Sequence, residues 1–428
     1  MRGRVPSALK QERIRSVNRR AVIDAIHRNG KISRVDLATD LGLSPSTITA
    51  ITAPLVDQGV VVEAELATTT SVGRKPILLE IDYDFASVIG IKVTNVAIIG
   101  ALTNLRAEPL ALRSDALTSL DAGHVSETIA GTVRGLCEQA GVDAAHVLGI
   151  GLGLPGIVEP ETGRVRHSPL LGWYGEPFAE RLHHRIGLPI LVENDVDALA
   201  AAQAWFGRGA QHQSFLVMTL GRGVGLGIVV DGRVHRGPHG GAGEIGHTVV
   251  TPIAPRVLPT VAGTLESFIS DGAMLARLSA LGHDAGTPPD PGALTRLADA
   301  GDTQVLDLLR DAGELIGLAL ANLVNVFAPS LIVLAGEGMR NGRHLLPHVQ
   351  RSLERHAFGD LGQRLDLAVE AFGDDAWARG AAGLAAARFL QELGERLTTV
   401  APERVRPRFA TPSPEGGAHL PVDPPAQS

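Results

Sequence analysis

A pattern of predicted elements that occurs twice is the strongest constraint on how this 428-residue chain can fold. In the first copy three short apolar segments, SVIGIKV, NVAIIGAL and NLRAEPLAL, precede a helix that ends near Gly141 and the strand HVLGIGLGL. In the second copy FLVMTLG, GVGLGIVV and GRVHRG precede helices and the strand SLIVLAG, with Asp231-Gly232 as a hairpin turn. Because each copy has the elements of an α/β lobe, the sequence predicts an α/β protein with two similar lobes and a ligand cleft between them.

The segment before these repeats differs in charge and in periodicity. Residues 1–34 hold ten Lys and Arg against two Asp and Glu, although the formal net charge of the whole chain is −7. This asymmetry is expected of a small polyanion-binding domain attached to an acidic body, or of a solvated charged tail. Apolar residues recur at helical spacing before Asn29-Gly30 and on both sides of Gly42-Leu43. Two short helices joined by such a tight turn predict a helix-turn-helix.

The second helix of this motif starts at Ser44 and carries short hydroxyl side chains where a recognition helix meets base edges. The β-branched segments VVVEAE and PILLEID then predict a two-stranded wing with a basic tip suited to a minor groove. Arg34, at the start of the preceding helix, can reach a backbone phosphate. A plain helical bundle would explain the helical periodicity, but not the tight turn, the exposed threonines and the basic wing together. We therefore expect DNA contacts from Arg34, Ser44, Ser46, Thr47, Thr49, Arg74 and Lys75.

Several classes of protein are disfavoured by composition. No apolar segment reaches the roughly 18 residues that cross a bilayer, and the charged N-terminus is not followed by a hydrophobic segment. We expect no membrane contact and a cytoplasmic location. The single cysteine, Cys137, excludes an internal disulfide and a multi-cysteine metal site, and we interpret it as a small buried apolar residue.

A set of longer motifs follows the chain in order from roughly residue 15 to roughly residue 390. They are SRVDLATDLGLSPSTIT, GRKP, GLPGIVEPETG, LVENDVDALAAAQAWFG, TLGRGVGLGIVVDG, RGPHGGAGEIGH, TLESF and PSLIVLAGEG. A lone glycine-rich loop would be weak evidence, but END followed at the right distance by GAGEIGH is specific. By these motifs the chain resembles the ROK family (repressors, open reading frames and kinases). It is most similar to the regulators of that family, in which a winged helix-turn-helix precedes a two-lobed sugar-kinase/actin-like body.

The resemblance implies where a sugar effector binds. In the family, the asparagine and aspartate of END, the glutamate and histidine of E-x-G-H and the glutamate of the following LE bind sugar hydroxyls. The matching residues here are Asn194, Asp195, Glu244, His247 and Glu266. Carboxylates, an amide and an imidazole supply the mixed donors and acceptors that a buried polyol requires. We expect Glu193 to be structural. Asp195, which would be the general base in an active kinase, is expected to bind a hydroxyl group instead.

The chain departs from the family's kinases at all three elements that hold ATP. Lys92 replaces the aspartate of the phosphate-binding D-x-G-G-T turn, and Thr94-Asn95 replaces its glycine pair. In the second phosphate loop Arg222 stands where a small hydroxyl residue is usual, and Glu337 lies near the expected nucleotide position. Phosphoryl transfer depends on positioning and on charge neutralisation, so we expect no ATP or magnesium binding and no kinase activity.

Two further departures concern zinc and the choice of sugar. Val257, Pro259 and Thr264 replace the three cysteines that bind zinc together with the E-x-G-H histidine in many family members, so no such zinc site is expected. The role of His247 without zinc is left open. Leu170 matches a family asparagine that often contacts sugar, which weakens or redirects the choice of sugar. Trp173 is expected to line the core or the lobe in preference to stacking on a sugar.

The sequence thus predicts four segments: a winged helix-turn-helix at 1–82, lobes at 83–205 and 206–393, the second with the C-terminal helix, and a disordered tail at 394–428. The predicted function is a transcriptional regulator, a repressor of sugar uptake or catabolism genes. Its partners would be a double-stranded DNA operator and a sugar effector, with the protein acting as a homodimer or a dimer of dimers. Two alternatives stay open. One is a ROK sugar kinase that retains a DNA-binding domain, and the other is a regulator controlled by a protein partner or by no ligand.

Overall fold

The structure is a computed structural model that describes residues 7–65, 77–250, 263–284, 286, 290–370 and 374–396. Within these ranges the chain forms a small N-terminal domain and two α/β lobes. No helix of the described ranges combines the length and the apolar character that a membrane-spanning helix requires. From residue 397 onward the predicted tail lies outside the described residues.

The N-terminal domain, called the head below, is a winged helix-turn-helix. Ser33 caps the second helix by accepting a hydrogen bond from the Asp36 amide at 3.1 Å, and Gly42 ends that helix with a φ of 62°. Strand β1 was not predicted, because two residues are too short to show a strand periodicity. It extends the predicted two-stranded wing to a sheet of order β1-β3-β2. The head comprises α1 (Ser7–Asn29), β1 (Ile32–Ser33), α2 (Arg34–Leu41), α3 (Pro45–Asp57), β2 (Val61–Glu65) and β3 (Ile77–Ile81).

The first lobe contains the predicted three-stranded meander, then a helix and a parallel strand. Its five-stranded sheet has the order β11-β7-β4-β5-β6, and both parallel partners, β7 and β11, lie on one side of the meander. A small antiparallel sheet, β10-β9-β8, lies beside it. The elements are β4 (Ser87–Val93), β5 (Ala97–Asn104), β6 (Pro109–Ala116), α4 (Ala122–Ala140), β7 (Val147–Leu154), β8 (Ile157–Val158), β9 (Val165–Ser168), β10 (Trp173–Glu176), α5 (Phe178–Ile186), β11 (Ile190–Asn194) and α6 (Asp195–Phe206).

The second lobe has the same sheet design, with order β14-β13-β12-β15-β16. Strands β12 and β15 are buried along their whole length, as expected of central strands covered on both faces. The elements are β12 (Phe215–Leu220), β13 (Val224–Val230), β14 (Arg233–Val234), α7 (Glu266–Ile269), α8 (Asp271–Ala280), α9 (Gly292–Asp299), α10 (Thr303–Phe327), β15 (Leu331–Ala335), α11 (Gly342–His356), α12 (Leu361–Arg364), β16 (Asp366–Glu370) and α13 (Asp374–Arg396). The predicted two-lobed α/β fold is therefore confirmed.

The C-terminal helix α13 returns to the first lobe, whereas the sequence grouped it with the second. It packs on β4 and β7 so closely that a Cβ atom at Gly90 would overlap the backbone carbonyl of Ala378, and one at Gly151 the carbonyl of Ala381. Its inner face is a run of buried alanines, which permits this approach. Glycines in two separate strands and alanines in a distant helix form one interface, and this pairing cannot be derived from the local pattern of any of the three segments.

The head packs directly on α13. Side chains of α1, including Val22, Ile23 and Ile26, share one buried apolar cluster with Phe389 and Leu390 of α13. All five of these side chains are at most 2% exposed. The head and the first lobe therefore share a core, in which α13 contacts both.

Candidate effector cleft and DNA-binding surface

The cleft residues are positioned by the junction between β11 and α6, at the carboxyl edge of the first sheet. Asn194 is the N-cap of α6, and its Oδ1 accepts hydrogen bonds from the amides of Val196 and Asp197 at 2.9 and 3.2 Å. Its Nδ2 donates to the carbonyl of Gly156 at 3.0 Å. The side chain predicted to bind sugar therefore has a structural role, and a sugar contact from Asn194 is limited to the second Nδ2 hydrogen.

Asp195 forms an ion pair with Lys92, the residue that stands at the position of the kinase aspartate. The Nζ of Lys92 lies 2.7 Å from Oδ2 of Asp195, and the two side chains are 10% and 16% exposed. The same Nζ lies 3.7 Å from the ring centroid of Trp377 on α13, a cation–π contact. Oδ1 of Asp195 accepts from the Val196 amide at 3.0 Å. One lysine thus connects Asp195, which would be the general base in an active kinase, to the helix on which the head packs.

Glu244 is presented by the glycine-rich loop that follows β14. Gly243 has a φ of 95° and lies against the backbone of β13, where a Cβ would overlap the carbonyl of Leu226, so no other residue fits this position without displacement. The Leu226 amide donates to the carbonyl of Gly243 at 3.0 Å, which fixes the loop on β13. Burial raises the pKa of Glu244, His247 opposes this shift, and the nearby carboxylates of Glu266 and Asp195 add to it.

Glu266 and His247 complete the set of predicted effector residues. Leu265 donates its amide to the carbonyl of Thr248 at 2.9 Å, which holds the E-x-G-H segment against the following LE segment. Oε2 of Glu266 accepts from the Val224 amide at 2.9 Å. His247 is exposed and its Nε2 lies 3.8 Å from Oε2 of Glu244. His247, Glu266 and Asp195 all act on the pKa of Glu244, so the charges of these four residues lie near one another.

The turn at the position of the kinase D-x-G-G-T motif uses its own backbone amides internally. Thr94 is 3% exposed, and its Oγ1 accepts from the amides of Val96 and Ala97 at 3.3 and 2.9 Å. Its hydroxyl in turn donates to the carbonyl of Ala97 at 3.0 Å. Amides that would face a phosphate in a phosphate-binding turn are therefore occupied by a threonine side chain.

The second phosphate loop is covered by a carboxylate. Oε2 of Glu337 lies 2.5 Å from the position that a Cβ on Gly221 would occupy. Oε1 of the same carboxylate accepts from Nε1 of Trp377 at 3.2 Å. Trp377 thus contacts both altered elements, Glu337 through its indole N–H and Lys92 through its ring face. A negative charge fixed over this loop repels phosphate groups.

The residues present do not fit the family's zinc site. Val257 and Pro259, which replace two of the cysteines, lie outside the described residues, and neither side chain offers a metal ligand. Thr264 replaces the third cysteine and is 4% exposed. Thr264 pairs with Val249 in an antiparallel backbone bridge, and Val249 is close in sequence to His247. The segment that carries His247 is therefore held by backbone pairing.

Trp173 has the structural role expected for it. It is 6% exposed, its Nε1 donates to the carbonyl of Leu120 at 2.7 Å, and its ring packs against that of Phe178 in a tilted arrangement with centroids 4.6 Å apart. Leu170, at the position of the family asparagine, is 45% exposed. It offers no hydrogen-bonding side chain at that position.

Glu193 and Asp197 form a buried acidic pair beside the cleft, and only Glu193 was identified from the sequence. Glu193, expected to be structural, is 4% exposed and accepts from Nε of Arg236 at 2.5 Å. Burial raises its pKa, while Arg236 opposes the shift. Asp197 is 3% exposed, and burial followed by the charge of Glu193 raises its pKa well above the usual value. Sequence reasoning missed Arg236 and Asp197; a buried carboxylate in a strand was the signal that an arginine partner must exist elsewhere.

The predicted recognition helix is exposed, but part of its hydroxyl chemistry is internal. Oγ of Ser44 accepts from the Thr47 amide at 3.2 Å and lies 2.9 and 2.8 Å from the hydroxyls of Ser46 and Thr47. The hydroxyl of Thr49 donates to the carbonyl of Pro45 at 3.0 Å. Ser44, Ser46 and Thr49 are exposed and Thr47 is half-buried. These side chains preorganise the helix start and present a small polar surface.

Arg34, predicted to reach a DNA phosphate, is held within the head in this structure. Its Nη2 donates to Oε1 of Glu63 at 2.7 Å and its Nε to the hydroxyl of Thr52 at 3.2 Å. This arrangement braces α2 against α3 and the wing strand, so a DNA phosphate would have to compete with an ion pair already formed. Arg74 and Lys75, predicted at the tip of the wing, lie outside the described residues.

A histidine links the head to the helix that begins in the cleft. The His27 ring forms two hydrogen bonds. Its Nδ1 lies 2.6 Å from the Tyr83 hydroxyl, and its Nε2 lies 2.7 Å from the carbonyl of Trp205. A carbonyl accepts only, so Nε2 carries the proton and Nδ1 accepts from Tyr83. Burial lowers the pKa of His27 and raises that of Tyr83 to about 12, which keeps both groups neutral. Sequence reasoning did not identify this contact between α1 and the end of α6.

Comparison with known proteins places this architecture in a family. The model of the ROK family matches residues 88–388, and a model described as winged helix-turn-helix DNA-binding matches residues 15–62. The xylose repressor of Caldicellulosiruptor bescii is 27% identical over 371 residues, which cover 83% of this chain and 92% of the relative.

Two solved structures extend the comparison. A ROK family transcriptional regulator, a homolog of the Escherichia coli MLC protein, superposes with a TM-score of 0.77 at 26% identity over 89% of this chain and 98% of its own. A ROK family glucokinase from Streptomyces griseus, in complex with glucose and AMPPNP, gives 0.61 at 27% identity over 70% of this chain and 98% of its own. The family model spans more than half of the sequence, and the fold and the motifs agree with it. The chain is a member of the ROK family.

Proposed function

We propose that this protein is a transcriptional regulator that binds operator DNA through the head and responds to a sugar in the cleft. The observation that carries the proposal is the ion pair between Lys92 and Asp195 in a chain that also has a winged helix-turn-helix. An aspartate held by a lysine at 2.7 Å is a poor general base, but its carboxylate still defines a polar site for hydroxyl groups. The name of the xylose repressor and the regulator structure support the same function.

Absence of kinase activity is part of this proposal. The first phosphate turn has Lys92 where a metal-holding aspartate is needed, and Thr94 occupies the amides of that turn. Glu337 covers the second loop with a negative charge. Together these changes remove the metal ligand and the phosphate donors on which phosphoryl transfer depends. The proposal includes no ATP, magnesium or zinc as a cofactor.

Helix α6 offers a direct route from the effector to the head. It begins at Asp195 in the cleft and ends at Phe206, so its twelve residues span about 18 Å. The carbonyl of Trp205, in its last turn, accepts from His27 of α1, whose ring packs against the Trp205 ring with centroids 4.5 Å apart. A sugar that shifts Asp195 moves α6, and with it the Trp205 carbonyl and ring that α1 contacts through His27. Only a difference in sugar affinity between two head positions can drive this switch.

The second route runs through α13. Lys92 contacts Trp377 near the start of α13, and Phe389 near its end packs against α1. A sugar hydroxyl that competes for Asp195 weakens the hold of Lys92 and changes its contact with Trp377. We propose that the regulator acts as a dimer, since one head makes too few contacts for typical operator affinity, and that two heads occupy successive major grooves.

The proposal is tested by two assays on the full chain with xylose, glucose and N-acetylglucosamine. Calorimetry should detect saturable binding of at least one sugar without ATP, and Glu266→Gln should weaken that binding by about tenfold because it removes a charged acceptor. A coupled assay for ADP release should give no sugar-dependent turnover. Turnover of any of the sugars would establish the second candidate, a ROK kinase that retains a DNA-binding head, which the likeness to the glucokinase structure favours.

A further inference from the structure

A second cavity lies where the head meets both lobes, and its volume is about 480 Å³. Its walls come from α1, from residues 160–163 and β11 of the first lobe, from the β13–β14 hairpin of the second lobe, and from α6 and α13. Glu193 lines this cavity, whereas Asn194 and Asp195 of the cleft do not. The volume suits a small metabolite. The cavity is therefore separate from the effector cleft but shares β11 and α6 with it.

The lining of this cavity, called the junction cavity below, is positively charged. Four arginines contribute to it against two carboxylates, those of Glu161 and Glu193. Arg236 already neutralises Glu193 through their 2.5 Å contact. The other three arginines come from three different parts of the chain: Arg20 of α1, Arg233 of the hairpin and Arg388 of α13. Guanidinium groups that converge from separate elements on one cavity are suited to bind a carboxylate or a phosphate in a bidentate manner.

Acidic residues behind the lining hold these cations in place. Nε of Arg388 donates to Oε1 of Glu392 at 2.7 Å, and Nε of Arg20 lies 3.9 Å from Oδ2 of Asp24. Arg233 is exposed and close enough to Asp24 to oppose the rise that burial causes in the pKa of that carboxyl. Glu392 and Asp24 are not among the cavity-lining residues, so they orient the guanidinium groups without filling the cavity.

The rest of the lining favours an organic ligand over a bare ion. Alanine, leucine and valine side chains of β11, α6 and α13 and the ring of Trp205 form its apolar part. We propose that the junction cavity binds a small organic anion that carries a phosphate group or several carboxylates, with its charge on Arg20, Arg233 and Arg388 and its carbon body against the apolar wall. Phosphate esters and polycarboxylates share this chemistry, and the test distinguishes them.

Such a ligand would act as a second effector, an inference that rests on the proposed regulatory function. It would connect α1 with the second-lobe hairpin and with α13, so it would stabilise the head position seen in this structure. Its own binding, however, requires no DNA and no sugar. Measurement of anion binding alone therefore separates failure of this inference from failure of the proposed function.

Calorimetry on the full chain, without DNA, tests the inference with glucose 6-phosphate and citrate as probes and with inorganic phosphate and glucose for comparison. We expect saturable binding of one organic anion, a loss of at least about tenfold in affinity for Arg233→Ala and for Arg388→Ala, and a further loss at raised salt. Arg355→Ala is the matched control, because Arg355 is an exposed arginine on α11 that is not among the cavity-lining residues. Its affinity should match that of the unmodified protein, and circular dichroism checks that all three variants are folded.

Three outcomes overturn the inference. If neither organic anion binds saturably, or if the two cavity variants bind as well as Arg355→Ala, the junction cavity is not an anion site. Inorganic phosphate bound as tightly as the organic probes would refute the role of the apolar wall. Preference for glucose 6-phosphate over citrate identifies a phosphate ester as the ligand class, and the reverse preference identifies a polycarboxylate.

Discussion

Replacement of Lys92 by methionine tests whether the ion pair with Asp195 organises the cleft. Both side chains are less than one-fifth exposed, so the variant leaves a largely buried carboxylate without its cation. Removal of one partner of a buried ion pair costs about 3 kcal/mol of unfolding free energy, and the lost cation–π contact with Trp377 adds about 1 kcal/mol. We expect Lys92→Met to lower the unfolding free energy by about 3 to 4 kcal/mol.

A double-mutant cycle isolates the pair from the other contacts of the lysine. In Lys92→Met with Asp195→Asn, the buried negative charge is absent, so we expect the double variant to recover about 2 kcal/mol of the summed single losses. The assay is urea unfolding at neutral pH, followed by circular dichroism. The matched control is the exposed ion pair between Lys31 and Glu80, whose side chains are 54% and 34% exposed, and Lys31→Met should cost less than about 1 kcal/mol. A coupling energy below about 0.5 kcal/mol between Lys92 and Asp195 would refute the reasoning.

Three further predictions concern the head and the packing of α13, the helix that contacts the head. Burial lowers the pKa of His27, so the unfolded chain takes up a proton more readily; the stability due to neutral His27 is complete above pH 6.5 and is lost as the pH falls below it. The difference in unfolding free energy between the unmodified protein and His27→Phe should therefore shrink on acidification, and a constant difference would contradict the assignment. Arg74→Ala should weaken binding to all DNA sequences and lower the salt dependence, whereas Thr47→Ala should change sequence preference in a binding-selection experiment; equal losses on every sequence from both would argue against this division. Gly90→Ala should destabilise the protein by about 3 kcal/mol, because its Cβ overlaps the backbone of α13, while Gly272→Ala, with open space around the added methyl group, should cost nothing in thermal unfolding.

The parts of the fold that were predictable are those set by local rules. Ser33 and Ser44 cap helices and Gly42 adopts a left-handed conformation, so the helix-turn-helix could be placed from residue chemistry alone. The two meanders were equally accessible, because strands β4 and β12 are buried runs of apolar residues bounded by turns. Local periodicity therefore predicts the strands and helices of the lobes, but it does not predict which distant elements pack together.

Long-range pairings account for what the sequence could not reveal. The partners Lys92 and Asp195 are separated by 103 positions, and no local pattern in either segment indicates the other. The ion pair of Arg34 with Glu63 was not foreseen, because Glu63 lies across the head on β2. Charged side chains reach several ångströms in any direction, so their partners are decided by tertiary structure.

The five predicted effector residues show the same limit within one site. The charges of Asp195, His247 and Glu266 all act on the pKa of Glu244, so four of the five residues lie near one another. Which polar atoms are free for a sugar depends on backbone geometry, and the side chains of Asn194 and Glu266 both bind backbone amides. Their direct contact with a sugar stays a prediction.

The most direct test of the central claim is the operator affinity of the full chain, measured by fluorescence anisotropy with and without saturating sugar and in the absence of ATP. The DNA is a duplex selected by the protein from a random pool, and the sugar is the one that binds in calorimetry. We expect the dissociation constant to change by about tenfold or more, which corresponds to a coupling free energy of about 1.4 kcal/mol. An operator affinity that is the same with an empty and a filled cleft, or that changes only when ATP is added, would contradict the account.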